Sequence, residues 1–506
     1  MTDLAKNRIR KSGGARPLVR TRRVRTGGPH LSIYISLSML LIVLSLALAR
    51  SQHLHGSEMY LTQWSALYAS ICVIPVLWAV LRQPRSSMER ILISLWWPLK
   101  IAFTFYYVFS VWDVARNPAL YLHYSDNLPW QLAASRIADY WKMHGVGIIP
   151  KPTLVRMSMN YPAAGYFFGA IYYGIGHCLE ATLPWLSLVV LLCAALAQRL
   201  LEQCGLSQSE AKVAFHFILW SPVMWLFTLL VARDPLIIFS WLVIAYGTIL
   251  LFQRVNPINM AALFAGTIVL ANLRAEYLFV ELAWFAVVVA YSLKGKKRKG
   301  LGTQFALIGL VLACTALIAW GLWGHGGSSW YVTKYDLGEG VHKQMDLYLK
   351  EEGHMHGFYG AIISVGGALL IPVILPFKLL VGLTAPFPWD FSTFALRVTQ
   401  PFYSLESIIR LALFFFSLRV VLNWRSFSRS WDTELKLILA LGTLVGIAGL
   451  LGPVSEVRYL APAIPFLVPA FSPFARKARY WVGGTVFAAA AIISLQLLYF
   501  LLRPLL

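Results

Sequence analysis

Between Val213 and Phe252 two apolar runs are joined by Arg233-Asp234-Pro235, and His216 is the only other charge-bearing side chain in that stretch. Each run is about as long as a bilayer-spanning helix, roughly 20 residues at 1.5 Å rise. A chain built this way folds as membrane-spanning helices, because only helices and closed barrels satisfy the backbone inside lipid. Burying a charge in hydrocarbon costs about 2.5–3.5 kcal/mol on insertion scales, so the turn is expected at or near a membrane surface and is a first candidate for function.

The pattern repeats along the chain. Of the 506 residues 58% are hydrophobic and 13% charged. Candidate spans are 31–49, 64–82, 91–111, 183–201, 213–231, 235–252, 258–273, 277–293, 303–323, 404–421, 435–452, 460–474 and 480–502. The expected fold is therefore all-α: a polytopic bundle of about 13 spans, with juxtamembrane helices on its outer face. Residues 1–30 read as a basic cytoplasmic tail and 31–506 as one membrane domain. Residues 161–176 are apolar, but counting them as a full span inverts the later loops, so they read as a juxtamembrane or re-entrant helix. Residues 359–383, broken by Pro372, Pro376 and Lys378, leave and return on one side.

The net charge of +22 is not a nucleic-acid signature, because the cations gather at particular loops. Nine Lys and Arg lie in the first 25 residues, and Lys294, Lys296, Lys297, Arg298 and Lys299 form a second cluster. Smaller clusters fall at Arg82–Arg90, Arg419–Arg429 and Arg476–Arg479. Loops rich in Lys and Arg stay in the cytoplasm, which places the N-terminus there in an inner, or plasma, membrane. The opposite face, periplasmic or extracellular, then carries two long loops, 112–184 and 324–358, and the Arg233-Asp234, Arg274-Ala275-Glu276 and Glu456-Val457-Arg458 turns. The first apolar run ends at Ala49-Arg50 without a small-residue cleavage pattern and reads as a retained span. The five cysteines, Cys72, Cys178, Cys193, Cys204 and Cys314, suggest no disulfide framework and read as core residues.

The first outer loop reads YSDNLPWQLAASRIADYWKMHG and then NYPAAGYFFGAIYYGIG. Ser125-Asp126 precedes an amphipathic stretch with Ala133, Ala134 and Ile137, and Tyr161-Pro162 opens the next apolar segment. A cytoplasmic turn ending in Gln198-Arg199, a helix with Ser221-Pro222, and the Arg-Asp turn follow. Over residues 91–290 this order resembles the C-type (GT-C) membrane glycosyltransferases, the superfamily of protein O-mannosyltransferases and oligosaccharyltransferases. The Pro386-Phe387-Pro388-Trp389 and Glu456-Val457-Arg458-Tyr459 turns are similar to those of bacterial exopolysaccharide and O-antigen assembly members.

The resemblance implies transfer of a sugar from a polyprenyl-phosphate-linked donor to a glycan or lipid-linked acceptor in the envelope. It gives the first-loop acid, Asp126 with Asp113 as rival, the role of catalytic or metal-holding carboxylate, and makes Asp234 the second acid. No DxD-type carboxylate cluster is present, so use of a divalent metal stays open. Elementary chemistry runs the same way: a carboxylate at the interface accepts the acceptor hydroxyl's proton, and arginine neutralises the leaving phosphate. Arg233, Arg274 and Arg458 are the candidates for that phosphate, each equally suited to a lipid headgroup or a local ion pair such as Arg274 with Glu276. His354 and His356, among acids in the second outer loop, are secondary candidates without tetrahedral ligand spacing.

Two other classes fit a chain of this kind: a lipid-linked oligosaccharide flippase or other transporter, and a non-catalytic component of envelope assembly. A flippase should bury charges in mid-span or show repeat symmetry. The ionisable residues are expected at span ends on one face, which favours interfacial chemistry.

Overall fold

A computed structural model describes residues 56–112, 127–150, 153–154, 162–253, 256–274, 277–294, 398–399, 401–411, 432–451 and 460–475, with isolated positions elsewhere. These residues form helices and connecting turns, with no strand among them. The predicted spans 31–49, 303–323 and 480–502 lie almost wholly outside them.

The chain runs through α1 (Gly56–Leu81), α2 (Ser87–Tyr106, closed by a wider π turn over Tyr107–Val111), α3 (Asn127–His144) and α4 (Pro162–Ile175). Then come α5 (Thr182–Gln203), α6 (Gln208–Trp220), α7 (Pro222–Leu229), α8 (Asp234–Gln253), α9 (Pro257–Leu273) and α10 (Tyr277–Lys294). Residues 401–411 form α11, followed by α12 (Thr433–Leu451) and α13 (Ile464–Ala475). Among the described residues five helical stretches are long and apolar enough to cross a membrane: Tyr60–Leu81, Ser87–Val111, Leu179–Gln203, Gln208–Leu229 and Asp234–Leu251. The chain is a helical protein suited to a lipid bilayer.

α4 has 14 residues, about 21 Å of helix and too short to span a bilayer. It pairs with α3, whose buried face is Trp130, Ala133, Ala134, Ile137, Ala138 and Trp141, the stripe suggested by its apolar spacing. The pair approaches closely at Gly169, where an added Cβ would lie 2.6 Å from Ile137 Cγ2.

The Gln208–Leu229 stretch is broken. Pro222 has no N–H to give, and Ser221 caps α7 by accepting from the Met224 N–H at 3.3 Å. The Leu219 carbonyl, left over at the break, accepts from two indoles, Trp96 Nε1 and Trp225 Nε1, each at 2.9 Å. Glu406 of α11 takes up the opposite side of the break: its Oε2 accepts from Ser221 Oγ at 2.9 Å and from the Val223 N–H at 3.4 Å. Lys100 Nζ of α2 donates to the Trp225 carbonyl at 3.2 Å and sits 4.5 Å from the Trp225 ring centre. Arg410 lies one helical turn beyond Glu406 and donates to Ser407 Oγ at 3.0 Å. Lys100 and Glu406 are wholly buried and Arg410 nearly so. The expectation that ionisable residues keep to span ends is thereby corrected. A broken helix frees backbone groups in a dry core, and charged side chains from α2 and α11 satisfy them.

At the end of the bundle holding the Arg82–Arg90 cluster, Arg85 is likewise no solvated topology charge. It donates to Glu89, to the Val80 carbonyl at 3.1 Å and to Gln198 Oε1 at 2.6 Å, and Gln198 donates on to Glu202 at 2.8 Å. Burial pushes the Arg85 guanidinium's pKa down while neighbouring Glu89 opposes the shift. Lys212 and His216 join Glu89 at 2.8 and 3.1 Å, so the histidine is a packed partner. Of the cysteines, Cys178, Cys193 and Cys204 are buried as expected, but Cys72 is exposed. Cys314 lies outside the described residues.

Candidate outer-turn site

The α7–α8 turn and the α9–α10 turn meet. Arg233 Nη1 donates to the carbonyl of Leu273 at 3.2 Å, which brings the first arginine beside the residue preceding Arg274. Arg233, Asp234 and Arg274 are 5%, 3% and 6% exposed, so all three are withdrawn from solvent. Asp234 opens α8, where a carboxylate in the first turn complements the helix dipole. Arg274 caps α9 and holds its guanidinium 5.7 Å from the Tyr277 ring.

The turn meets α5 away from that helix's ends. Pro235's carbonyl accepts from Cys193 Sγ at 3.6 Å, and Cys193 lies near the middle of Leu179–Gln203, about 21 Å along the helix from Leu179. Helix α3 packs against the same turn, with the Trp130 ring centre 5.7 Å from the Arg233 guanidinium carbon. Trp130 in turn packs on Phe168 of α4 at 6.3 Å.

Of the residues singled out in the sequence, the structure thus brings together Arg233, Asp234 and Arg274. Asp113, Asp126, Glu276, His354, His356 and Arg458 lie outside the described residues. Asp126 immediately precedes α3, and Trp130, the ring beside Arg233, stands in the first turn of that helix. Asp139, on the same helix, faces outward and meets His177 at 3.2 Å and Lys142 at 3.8 Å.

Sequence reading missed the residues beneath the turn. Trp241 of α8, seven residues after Asp234, packs edge-on to Tyr277 with ring centres 5.8 Å apart. Glu281, one turn beyond Tyr277, is 2% exposed and accepts from Thr267 Oγ1 of α9. The signal for Glu281 was a lone acid inside an apolar run, which averaged hydropathy hides. Among the described residues no group of three or more His, Cys, Asp or Glu could hold a metal ion. Arg233, Asp234 and Arg274 are buried together with the Trp130 and Tyr277 rings beside the two guanidinium groups. No family model, no curated protein and no solved structure matches this chain.

Proposed function

We propose that this chain is an integral membrane glycosyltransferase that moves a sugar or oligosaccharide from a polyprenyl-phosphate-linked donor to an envelope acceptor on the outer face of the membrane. The observation that carries the reading is the bond from Arg233 to the residue preceding Arg274, both arginines being buried, with Trp130 of the helix that begins next to Asp126 beside Arg233. Two guanidinium groups in a low-dielectric site stabilise a leaving phosphate far more than they would in water. The acceptor hydroxyl attacks the anomeric carbon and the bond from that carbon to the phosphate oxygen breaks. The polyprenyl phosphate leaves with the electron pair on its oxygen, beside the arginines. The hydroxyl proton passes to a carboxylate, assigned to Asp126, with Asp234 at the arginine pair. The resemblance over residues 91–290 supports the same roles. Arg458, Asp113, Glu276, His354 and His356 remain candidates for completing the site, and a divalent metal is compatible with the two acids without being required by the chemistry.

One observation favours a second reading. Lys100, Glu406 and Arg410 are buried at a helix break, a place where transporters hold charge, so a flippase for lipid-linked oligosaccharides fits as well. Comparison of envelope polysaccharide and lipid-linked sugars in cells with and without the gene separates the two. A transferase leaves its donor accumulated and its polymer missing the corresponding sugar. A flippase leaves complete lipid-linked oligosaccharide trapped on the inner leaflet.

A further inference from the structure

Among the described residues several buried or half-buried indole N–H groups are paired: Trp96 and Trp225 with the Leu219 carbonyl, Trp97 with Ser70 Oγ at 2.9 Å, and Trp284 with the Leu437 carbonyl at 2.9 Å. Trp241 differs. Its ring is fully buried, yet among the described residues its Nε1 has no hydrogen-bond partner. The same holds for Glu281 Oε2, whose other oxygen is occupied by Thr267. A donor and an acceptor left unmatched in a dry interior each cost about 1–3 kcal/mol, so each calls for a partner.

Tyr277 links the two. Tyr277 touches Trp241 across the α8–α10 contact, and Glu281 follows Tyr277 by one turn on the same helix face, about 5–6 Å away between Cβ atoms. Thr267 fixes Glu281 from α9. The Arg274 guanidinium carbon lies 5.7 Å from the centre of the same Tyr277 ring. Tyr277 thus joins the arginine turn to the indole donor and stands one helical turn from the carboxylate acceptor.

From this arrangement we infer that Trp241, Tyr277 and Glu281 form a subsite for the hydroxyl-bearing ring attached to the anion held by Arg233 and Arg274. It rests on the reading of that anion as a lipid phosphate. The Trp241 N–H donates to a ring hydroxyl oxygen, Glu281 Oε2 accepts from a hydroxyl, and Tyr277 supplies an apolar wall. The ligand is therefore a neutral polyhydroxylated ring on a phosphate, and recognition of the sugar is separable from recognition of the phosphate.

Two probes separate them: citronellyl phosphate, and citronellyl phosphate bearing one hexose, taken from a panel of glucose, galactose and mannose. Binding to the full chain in nanodiscs is measured for each. Wild type should bind at least one hexose-bearing probe more tightly than the bare phosphate. Trp241→Phe and Glu281→Gln should weaken only that hexose-bearing probe, by about tenfold for one lost hydrogen bond. Arg274→Gln should weaken both probes together. If Trp241→Phe and Glu281→Gln bind wild-type levels of both, or lose both equally, the subsite is overturned while the phosphate reading stands. If wild type binds neither probe, both fall. Should Glu281→Gln fail to fold, Trp241→Phe keeps an aromatic ring in place and carries the test alone.

Discussion

The Arg233 guanidinium is tied to the Leu273 carbonyl at 3.2 Å, so the α7–α8 turn and the α9–α10 turn are one structural unit. Two arginines far apart in sequence share a buried site for that reason, and Asp234 comes with them.

Replacement of either arginine tests whether they hold the donor phosphate. Arg233→Gln and Arg274→Gln should each lower sugar transfer by about 10- to 100-fold, the effect of losing a hydrogen bond to a charged group worth about 1.5–3 kcal/mol. Arg274→Lys should recover only part of it, because an ammonium lacks the bidentate fork. Initial rates at saturating and limiting donor measure the effect. Full activity in Arg274→Gln would remove this arginine from the site.

The general base is tested by charge removal without change of size. Asp126→Asn should leave expression and insertion intact and lower transfer by at least about 10²-fold, the low end for a positioned base. Asp139→Asn should be close to wild type, since Asp139 faces outward against His177 and Lys142. Loss of activity in Asp113→Asn with full activity in Asp126→Asn would move the role to Asp113.

The closeness of α3 and α4 predicts a steric effect at a distance. Gly169→Val should push on Ile137, whose Cγ2 and Cβ lie 2.6 and 2.8 Å from an added Cβ. Stability should fall by about 1–3 kcal/mol, as for overpacked cores, and transfer should fall with it because Trp130 moves off Arg233. Ile137→Ala in the same chain should recover part of both losses, read by thermal unfolding and by rate. Additive losses in the double variant would contradict the contact.

The Arg85 network should act on stability alone. Arg85→Gln leaves Glu89 with Lys212 and His216, so the loss should stay below the roughly 3–5 kcal/mol of a fully broken buried pair. Thermal unfolding in detergent should register it while the rate of transfer per folded molecule is unchanged.

Helix positions were legible where pattern decides them. The Ala133, Ala134, Ile137 spacing marked α3's buried stripe, but Ser221-Pro222 was read inside one helix, and the break there is what the structure adds. The contact of the Arg233-Asp234-Pro235 turn with Cys193 was not legible, because it depends on how α8 packs against α5. Hydropathy also could not separate roles among charges. Arg85 counted with the topology cations yet is buried, while Lys100, Glu281 and Glu406 vanished into the averages of their apolar runs. Such groups are placed by partners on other helices, Trp225 for Lys100, Thr267 for Glu281 and Ser221 for Glu406, and no local window contains those partners.

Sidedness underlies the placement of the chemistry. A cysteine introduced at position 298 should be shielded from an impermeant maleimide in intact cells, and one at position 126 should be labelled. Labelling at 298 from outside would reverse the orientation.

The central claim, that the chain breaks the bond between sugar and lipid phosphate, is tested most directly in proteoliposomes. The full chain is reconstituted with a radiolabelled polyprenyl-phosphate sugar and an envelope extract from cells lacking the gene, and the label is followed. The account predicts that label leaves the lipid and enters a water-soluble or lipid-linked glycan, with the reaction lost in the Arg233→Gln and Asp126→Asn chains. Label that stays on its polyprenyl phosphate and merely changes leaflet would contradict it.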